Sequence, residues 1–258
     1  MASGARRTGA ATGDLPSPPI FDPARIALFA DLDGTLAPIE QTPRAVGPDP
    51  RRRQLLDRLG QVLQGRLAVV SGRAMADVDR VLEGVVPAVA AVHGLVRRSV
   101  EGAVVGEVRQ PRLEAARKEM LDFARRDRRL IVEDKGVAVA LHYRRAPDQG
   151  KAAHELVREL ARRYRLREQQ GDMVAELRPS GPDKGEAVRA FMREAPFAGH
   201  RPIFLGDDLT DEPGFAAAQD LDGAGIIVGA RRPTLARYAL ADVASVRLWL
   251  EALATESQ

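Results

Sequence analysis

Short apolar runs alternate with stretches of helical periodicity along most of this chain. Residues 26–30, 67–70 and 88–92 are nearly unbroken apolar segments and read as buried strands. Between them, residues 51–63 and 74–82 carry apolar side chains at three- and four-residue intervals, which predicts helices. A strand-helix-strand-helix-strand order argues for a parallel sheet covered on both faces. The same grammar returns later, with helices over 185–193, 211–218 and 243–253 and strands over 202–205 and 225–228.

The middle of the chain has a different rhythm. A helix over 113–125 precedes strands over 130–133 and 137–143, joined by a turn at Asp134-Lys135-Gly136. A second helix, 154–164, precedes strands over 166–169 and 173–177 that flank Gly171-Asp172. Helix-strand-strand, twice over, is an α+β pattern built from hairpins. The predicted fold is therefore α/β, a doubly wound parallel-sheet (Rossmann-like) core with a small α+β domain inserted into it. The expected organisation is a mobile tail over 1–22, a core over 23–101 and 182–258, and the inserted domain over 102–181, with Gly- and Pro-containing stretches at its borders.

Composition narrows the chemistry. The 258 residues contain no Cys, so disulfides, thiol nucleophiles and thiolate metal sites are excluded. A metal would have to be held by oxygen or by one of four histidines. No apolar run approaches the roughly 20 residues that cross a bilayer, which argues against a membrane partner. Arg6 and Arg7 are followed by no apolar segment of a secretion signal, so the expected location is cytoplasmic. Thirty-nine basic residues stand against 36 acidic ones and are interleaved with them, as in Arg112-Leu113-Glu114. Solvated helix faces explain this better than a nucleic-acid surface, and 4% aromatic residues leave few platforms for stacking bases. Lysine is scarce: Lys118, Lys135, Lys151 and Lys184 are all there are.

Candidate chemistry collects where strands end. Asp31-Leu32-Asp33-Gly34-Thr35-Leu36 follows the first strand, and alternate residues of an extended segment point the same way. Two facing carboxylates repel unless a cation or proton offsets them, whereas an Asx-rich turn is the plainer reading of Asp-Gly. Gly34 permits a tight turn whose amides can approach an anion. Ser71-Gly72-Arg73 follows the second strand, as an anion site or an ordinary helix cap. Lys184 opens a later helix, beside a phosphate or simply in solvent. Gly206-Asp207-Asp208-Leu209-Thr210-Asp211-Glu212 places four acids in six residues after an apolar strand, as a cation site or a solvated turn. In a doubly wound sheet, ligands bind outside the carboxyl ends of the strands, so one cleft can gather all four.

These four segments resemble the motifs of the haloacid dehalogenase superfamily of phosphatases, over about residues 25–250. DLDGTLAPI, VVSGR, Val92-His93-Gly94-Leu95, EDKG followed by LHYR, ELRP followed by DKG, and GDDLTDE are similar more narrowly to the trehalose-6-phosphate phosphatases within it. The resemblance implies Asp31 as nucleophile on phosphorus and Asp33 as general acid, then base. It implies Mg²⁺ held by Asp31, the backbone carbonyl of Asp33 and Asp207, with Asp208 and Asp211 orienting Lys184 or water nearby. Ser71 and Lys184 would hold phosphoryl oxygens, in a phosphate-binding set that includes Gly34, Thr35, Gly72 and Arg73. The inserted domain becomes an α/β cap in which Glu133, Lys135 and Glu176 bind the sugar, with Arg144 and Arg178 as further candidates. His93 reads as a buried structural histidine or a substrate contact, and His142 as a packing residue.

The implied partner is a small-molecule sugar phosphate, acting on a monomer. A phosphatase for sucrose-, glucosylglycerate- or mannosylglycerate-phosphate shares the core motifs, so only the cap strings favour trehalose. An Arg-rich nucleic-acid-binding protein is the remote alternative.

Overall fold

The computed structural model of the protein describes residues 14–106, 108–230 and 232–255. The first strand, β1 (Ile26–Ala30), is buried along its whole length and is followed by α1 (Pro50–Val62), β2 (Leu67–Val70), α2 (Met75–Leu82) and β3 (Ala88–Ala91). A hairpin, β4 (Val96–Arg98) and β5 (Val104–Gly106), comes next. Then come α3 (Pro111–Ala124), β6 (Ile131–Asp134), β7 (Val139–His142), α4 (Gly150–Tyr164), β8 (Arg167–Gly171) and β9 (Val174–Arg178). The chain closes through α5 (Lys184–Phe191), β10 (Arg201–Gly206), α6 (Glu212–Asp220), β11 (Ala224–Val228), β12 (Tyr238–Leu240) and α7 (Val243–Leu253).

Eight strands form one sheet in the order β12-β11-β10-β1-β2-β3-β4-β5. All neighbours are parallel except the terminal hairpin, where β3–β4 and β4–β5 run antiparallel. The chain leaves β1 toward β2 and β3 and returns on β1's other side through β10. That reversal is the switch point at which a doubly wound sheet opens a crevice. Alternation along β1 divides the core into two layers. Ile26, Leu28 and Ala30 pack with α1, α2 and α7, whereas Ala27 and Phe29 pack with α5 and α6. On that second face Phe29 lies 5.4 Å from Phe197 and 6.0 Å from Phe191, ring centre to ring centre.

The second sheet is antiparallel, in the order β6-β7-β9-β8, with α3 and α4 packed on one face. Val139, Leu141, Ala175 and Leu177 point into that packing. The intervening Ala140 and Glu176 turn to the opposite face by the two-residue period of a strand. The predicted doubly wound sheet and the helix-strand-strand repeat are both present.

Three expectations need correction. Residues 14–22 do not behave as a tail: Phe21 meets Tyr238 and Trp249 edge-on, and the Trp249 indole N–H donates to the Pro19 carbonyl. Their few apolar side chains suffice to cover the sheet edge; residues 1–13 of the expected tail lie outside the described residues. Second, the β4–β5 hairpin extends the large sheet past residue 102, so 104–106 belong with the core ladder and not with the inserted domain. Third, β12 was not foreseen as a strand; it pairs with β11 and receives support from the Pro16 carbonyl. Among the described residues no helix is long and apolar enough to cross a membrane.

Candidate active site

Register places the principal acids together. β1 and β10 are paired as Ala30 with Leu205, and the Asp31 amide continues the ladder to the Leu205 carbonyl at 2.9 Å. Asp31 and Asp207 therefore leave the sheet side by side. Between β10 and α6 a one-turn helix (Leu209–Asp211) folds Asp211 back, and its carboxylate accepts from the Asp207 and Asp208 amides at 3.0 Å each. Carboxylate oxygens of Asp31, Asp207 and Asp211 lie within 4.8 Å of one another.

Lys184 enters this cluster from the first position of α5. Asp183 caps that helix through a reciprocal pair with Glu186, which fixes the direction in which the lysine leaves the helix. Its ammonium, 2% exposed, donates to Asp211 Oδ1 at 2.7 Å and lies 3.0 Å from Asp31 Oδ1. Burial alone would lower the Lys184 pKa, but Asp211 and Asp31 outweigh it and hold the pKa above its ordinary value. Three carboxylates against one ammonium leave two negative charges in a buried place. Burial, with repulsion from Asp211 and Asp33 only partly offset by Lys184, raises Asp31 to about 7. Burial and repulsion from Asp31 and Asp211 raise Asp207 to about 9. An all-oxygen donor set in this electrostatic state fits a hard divalent cation.

Gly34 and Thr35 support this cluster from behind. Gly34 has φ +78°, and a Cβ there would come within 2.2 Å of Asp207 Oδ2, so the turn must be glycine for Asp207 to occupy its place. Thr35 is fully buried, with its hydroxyl 3.5 Å from Asp207 Oδ1. Neither residue lines the cleft, which departs from their expected role as phosphate contacts. The tight turn that allows close packing also turns Thr35 away from the opening.

Arg73 also departs from its expected role. Its guanidinium grips Asp33 with two bonds, Nε to Oδ2 at 2.6 Å and a terminal nitrogen to Oδ1 at 2.8 Å. The remaining nitrogen donates to Asp77 and to the Pro43 carbonyl at 2.8 Å. Such a fork is geometrically matched to a carboxylate, and here the protein's own Asp33 takes the place expected for a phosphate. Ser71 and Gly72 do face the cleft. The His93 ring rests on Gly72, where a Cβ would approach to 2.6 Å, and His93 Nε2 lies 3.8 Å from Glu176 Oε1. Burial, together with Lys135, Lys184 and Arg178, keeps the His93 pKa well below its ordinary value, so this imidazole is neutral. Val92 and His93 both have positive φ, 48° and 57°, a conformation costly for such side chains. Bonds from the Val92 and His93 amides to the Arg73 and Ser71 carbonyls hold them there.

The second sheet closes the cleft from above. Glu133, Ala140, Glu176 and Gln169 form one row across β6, β7, β9 and β8. Lys135 donates to Glu176 at 2.5 Å, and His142 Nε2 lies 2.6 Å from Glu133 Oε2. Arg144 reaches the rim and is held by the Asp172 side chain at 2.7 Å. Glu133, Lys135, Glu176, Arg144 and His93 thus share one cleft with Asp31, Asp33, Lys184, Asp207 and Asp208. Arg178 does not: it lines a neighbouring polar cavity beside Arg167 and Gly181, and donates to the Pro182 carbonyl.

Sequence reasoning missed His142, Gln169 and the rim segment 39–43, all of which line the cleft. The two-residue period of β7 was the available signal for His142, because it points away from Val139 and Leu141.

Burial raises Glu133, but Lys135, the His142 hydrogen bond and Arg73 more than offset it, and its pKa falls from 4.5 to about 2. Its folded pKa lies below the unfolded one, so its stabilisation is full above about pH 5 and is lost as pH falls through 4.5 toward 2. Glu133→Gln should lower unfolding free energy by roughly 2–3 kcal/mol at pH 7. In urea titrations that gap should close toward pH 2; a gap independent of pH would contradict this origin.

A family model described as trehalose-phosphatase matches residues 29–244. The trehalose-6-phosphate phosphatase of Escherichia coli is 38% identical over 237 residues, covering 91% of this chain and 89% of that protein. The crystal structure of a trehalose-6-phosphate phosphatase related protein superposes with a TM-score of 0.75 at 26% identity, covering 89% of this chain and 96% of that one. A Bacteroides thetaiotaomicron structure, described among the phosphatases of the haloalkanoate (HAD) enzyme superfamily, shares the fold at 16% identity and a TM-score of 0.60, covering 94% of this chain and 99% of that one. With residues 29–244 and most of its length matched in this way, the chain belongs to the trehalose-phosphatase family.

Proposed function

We propose that this protein is a phosphoric monoester hydrolase that converts trehalose 6-phosphate to trehalose and orthophosphate, in trehalose biosynthesis. The observation that carries the reading is the meeting, in one cleft, of Asp31, Lys184 and Asp207, with Asp211 buried behind them, and of Glu133, Lys135, Glu176 and Gln169 from the second sheet. A phosphate fits the first group once a divalent cation offsets its excess negative charge, and a sugar with many hydroxyls fits the second.

On this reading an oxygen of Asp31 attacks phosphorus while the bond to the sugar oxygen breaks, giving an aspartyl-phosphate and free sugar. Asp33 gives a proton to the departing oxygen; held as a carboxylate by Arg73 on both oxygens, it must first leave that fork and take up a proton from water. It then takes a proton from the water that attacks the same phosphorus and releases Asp31. Lys184 and Ser71 stand where phosphoryl oxygens gain negative charge. Asp31, Asp207 and the backbone carbonyl of Asp33 would hold Mg²⁺, which when bound draws charge from the phosphoryl group. Asp211 keeps Lys184 in position and Asp208 stands at the cleft wall beside it. Glu133, Lys135 and Glu176 would bind sugar hydroxyls, with His142, His93 and Arg144 around them. The domain over about 102–181, less the 104–106 strand, serves as the cap whose closure excludes water.

Orthophosphate release from a panel of sugar phosphates, with and without EDTA, tests the reading. Trehalose 6-phosphate should be the best substrate and EDTA should stop the reaction; a preference for sucrose-, glucosylglycerate- or mannosylglycerate-phosphate would reassign the substrate. Asp31→Asn should lower turnover at least ~10³-fold with an unchanged melting transition, on the scale seen when nucleophiles are removed. Ordinary activity in that variant would remove the nucleophile. Glu176→Gln should reduce kcat/KM for trehalose 6-phosphate at least ~10-fold more than for p-nitrophenyl phosphate, as expected for a lost sugar contact of a kilocalorie or more. Equal losses would take Glu176 out of the sugar site.

A further inference from the structure

The acid cluster and the row Glu133–Ala140–Glu176–Gln169 occupy only the inner part of the cleft. One pleat farther from Gly181, the same face of the second sheet presents His142, Val174 and Gly171, again side by side across β7, β9 and β8. All three line the cleft. This outer row differs in kind from the inner one. Val174 is apolar, His142 is turned to Glu133, and Gly171 has no side chain. A Cβ on Gly171 would come within 2.9 Å of Val174 Cγ1, so glycine is what allows the valine its position.

The core-side wall at this level comes from the loop between β1 and α1. Ile39, Gln41 and Thr42 line the cleft there, and the loop is tied down where the Pro43 carbonyl accepts from Arg73 at 2.8 Å. Ile39 is 45% exposed. An isolated isoleucine on a surface calls for no explanation, but this one stands in the wall of a cleft whose other wall carries Val174. Among the described residues the side chains of Gln41 and Thr42 have no hydrogen-bond partner.

Charge at the mouth argues against a second anionic group. Arg144 is neutralised by Asp172, and Glu40, which also lines the cleft, is exposed and in no ion pair among the described residues. A neutral group suits the place. A pyranose ring carries C–H groups on its faces and hydroxyls around its edge, and the mouth offers apolar walls with neutral hydrogen-bonding groups at their margin.

We infer, resting on the sugar-phosphate reading above, that the outer cleft holds a second, unphosphorylated pyranose ring between Val174 and Ile39, with Gln41 and Thr42 at its hydroxyls. Part of the choice of substrate is then made by a loop of the core and not by the cap alone. A disaccharide phosphate fills both parts of the cleft, whereas a monosaccharide phosphate leaves the outer part to water.

Glucose 6-phosphate, which carries the phosphorylated ring alone, is the reference for trehalose 6-phosphate. The quantity read is the ratio of their kcat/KM values, which does not depend on the fraction of enzyme that is folded. Ile39→Ser should lower this ratio at least ~10-fold, since the lost apolar wall is felt only by the substrate with a second ring. Gln41→Ala should lower it roughly 3-fold, the scale of one hydrogen bond. Ile39→Leu, which keeps the apolar wall, should hold the ratio within about twofold. An unchanged ratio in Ile39→Ser, with trehalose 6-phosphate still preferred by the unaltered protein, would overturn the second subsite and leave the hydrolase reading in place. No preference for trehalose 6-phosphate in the unaltered protein would overturn both.

Discussion

One buried ammonium organises the centre of this molecule. Lys184 sits between Asp31 and Asp211 with almost no access to water, and each partner belongs to a different part of the chain. Removing the ammonium from such a buried set would leave its carboxylates uncompensated, a loss typically of about 3–5 kcal/mol. The trio therefore ties the start of α5 to the ends of β1 and β10. Asp211 extends the tie into the backbone, because its second oxygen accepts from two successive amides. Among the described residues, the same arrangement leaves Asp207 outside any ion pair. The site is stable as a scaffold and electrostatically incomplete as a charge distribution.

A second set of bonds carries this order toward the other sheet. Asp33 is held by Arg73, Arg73 by Asp77 and the Pro43 carbonyl, and the Arg73 carbonyl in turn accepts from Val92. The strained pair Val92–His93 is thus fixed by the two strand-end loops beside it. His93 then meets Glu176, which belongs to the second sheet and is paired with Lys135. Neutral imidazole is the form that this crowd of cations tolerates. The contact between the two sheets is partly polar and partly apolar, because Val137 and Ala138 of the β6–β7 turn pack into the core of the large sheet.

The sequence made the large parallel sheet legible because its strands are buried on both faces. Residues 26–30 and 67–70 contain no polar position, and their bounds were read as they stand in the structure. The β4–β5 hairpin was illegible for the opposite reason. Val96-Arg97-Arg98 is half-buried, and Val104-Val105-Gly106 is exposed, so neither shows an apolar run or a clean alternation. At the site, residue types announced the acids but not their partners. Nothing local tells whether Arg73 meets a ligand or Asp33, forty residues earlier in the chain. Arg178 shares a strand face with Glu176, but it lies one pleat nearer Gly181, and that distance moves it into another cavity. Thr35 lies off the cleft because the tight turn at Gly34 packs the loop directly against Asp207, which takes the Thr35 hydroxyl.

The row Glu133–Ala140–Glu176–Gln169 has a consequence for how such a protein can change over generations. Its side chains come from a sheet that shares no hydrogen-bonded ladder with the strands bearing Asp31 and Asp207. Substitutions along the row alter what the upper wall offers while the strand ends below keep their register. Diversification by drift, or by a library confined to those few codons, can proceed on one sheet as the hydrolytic apparatus is inherited intact on the other.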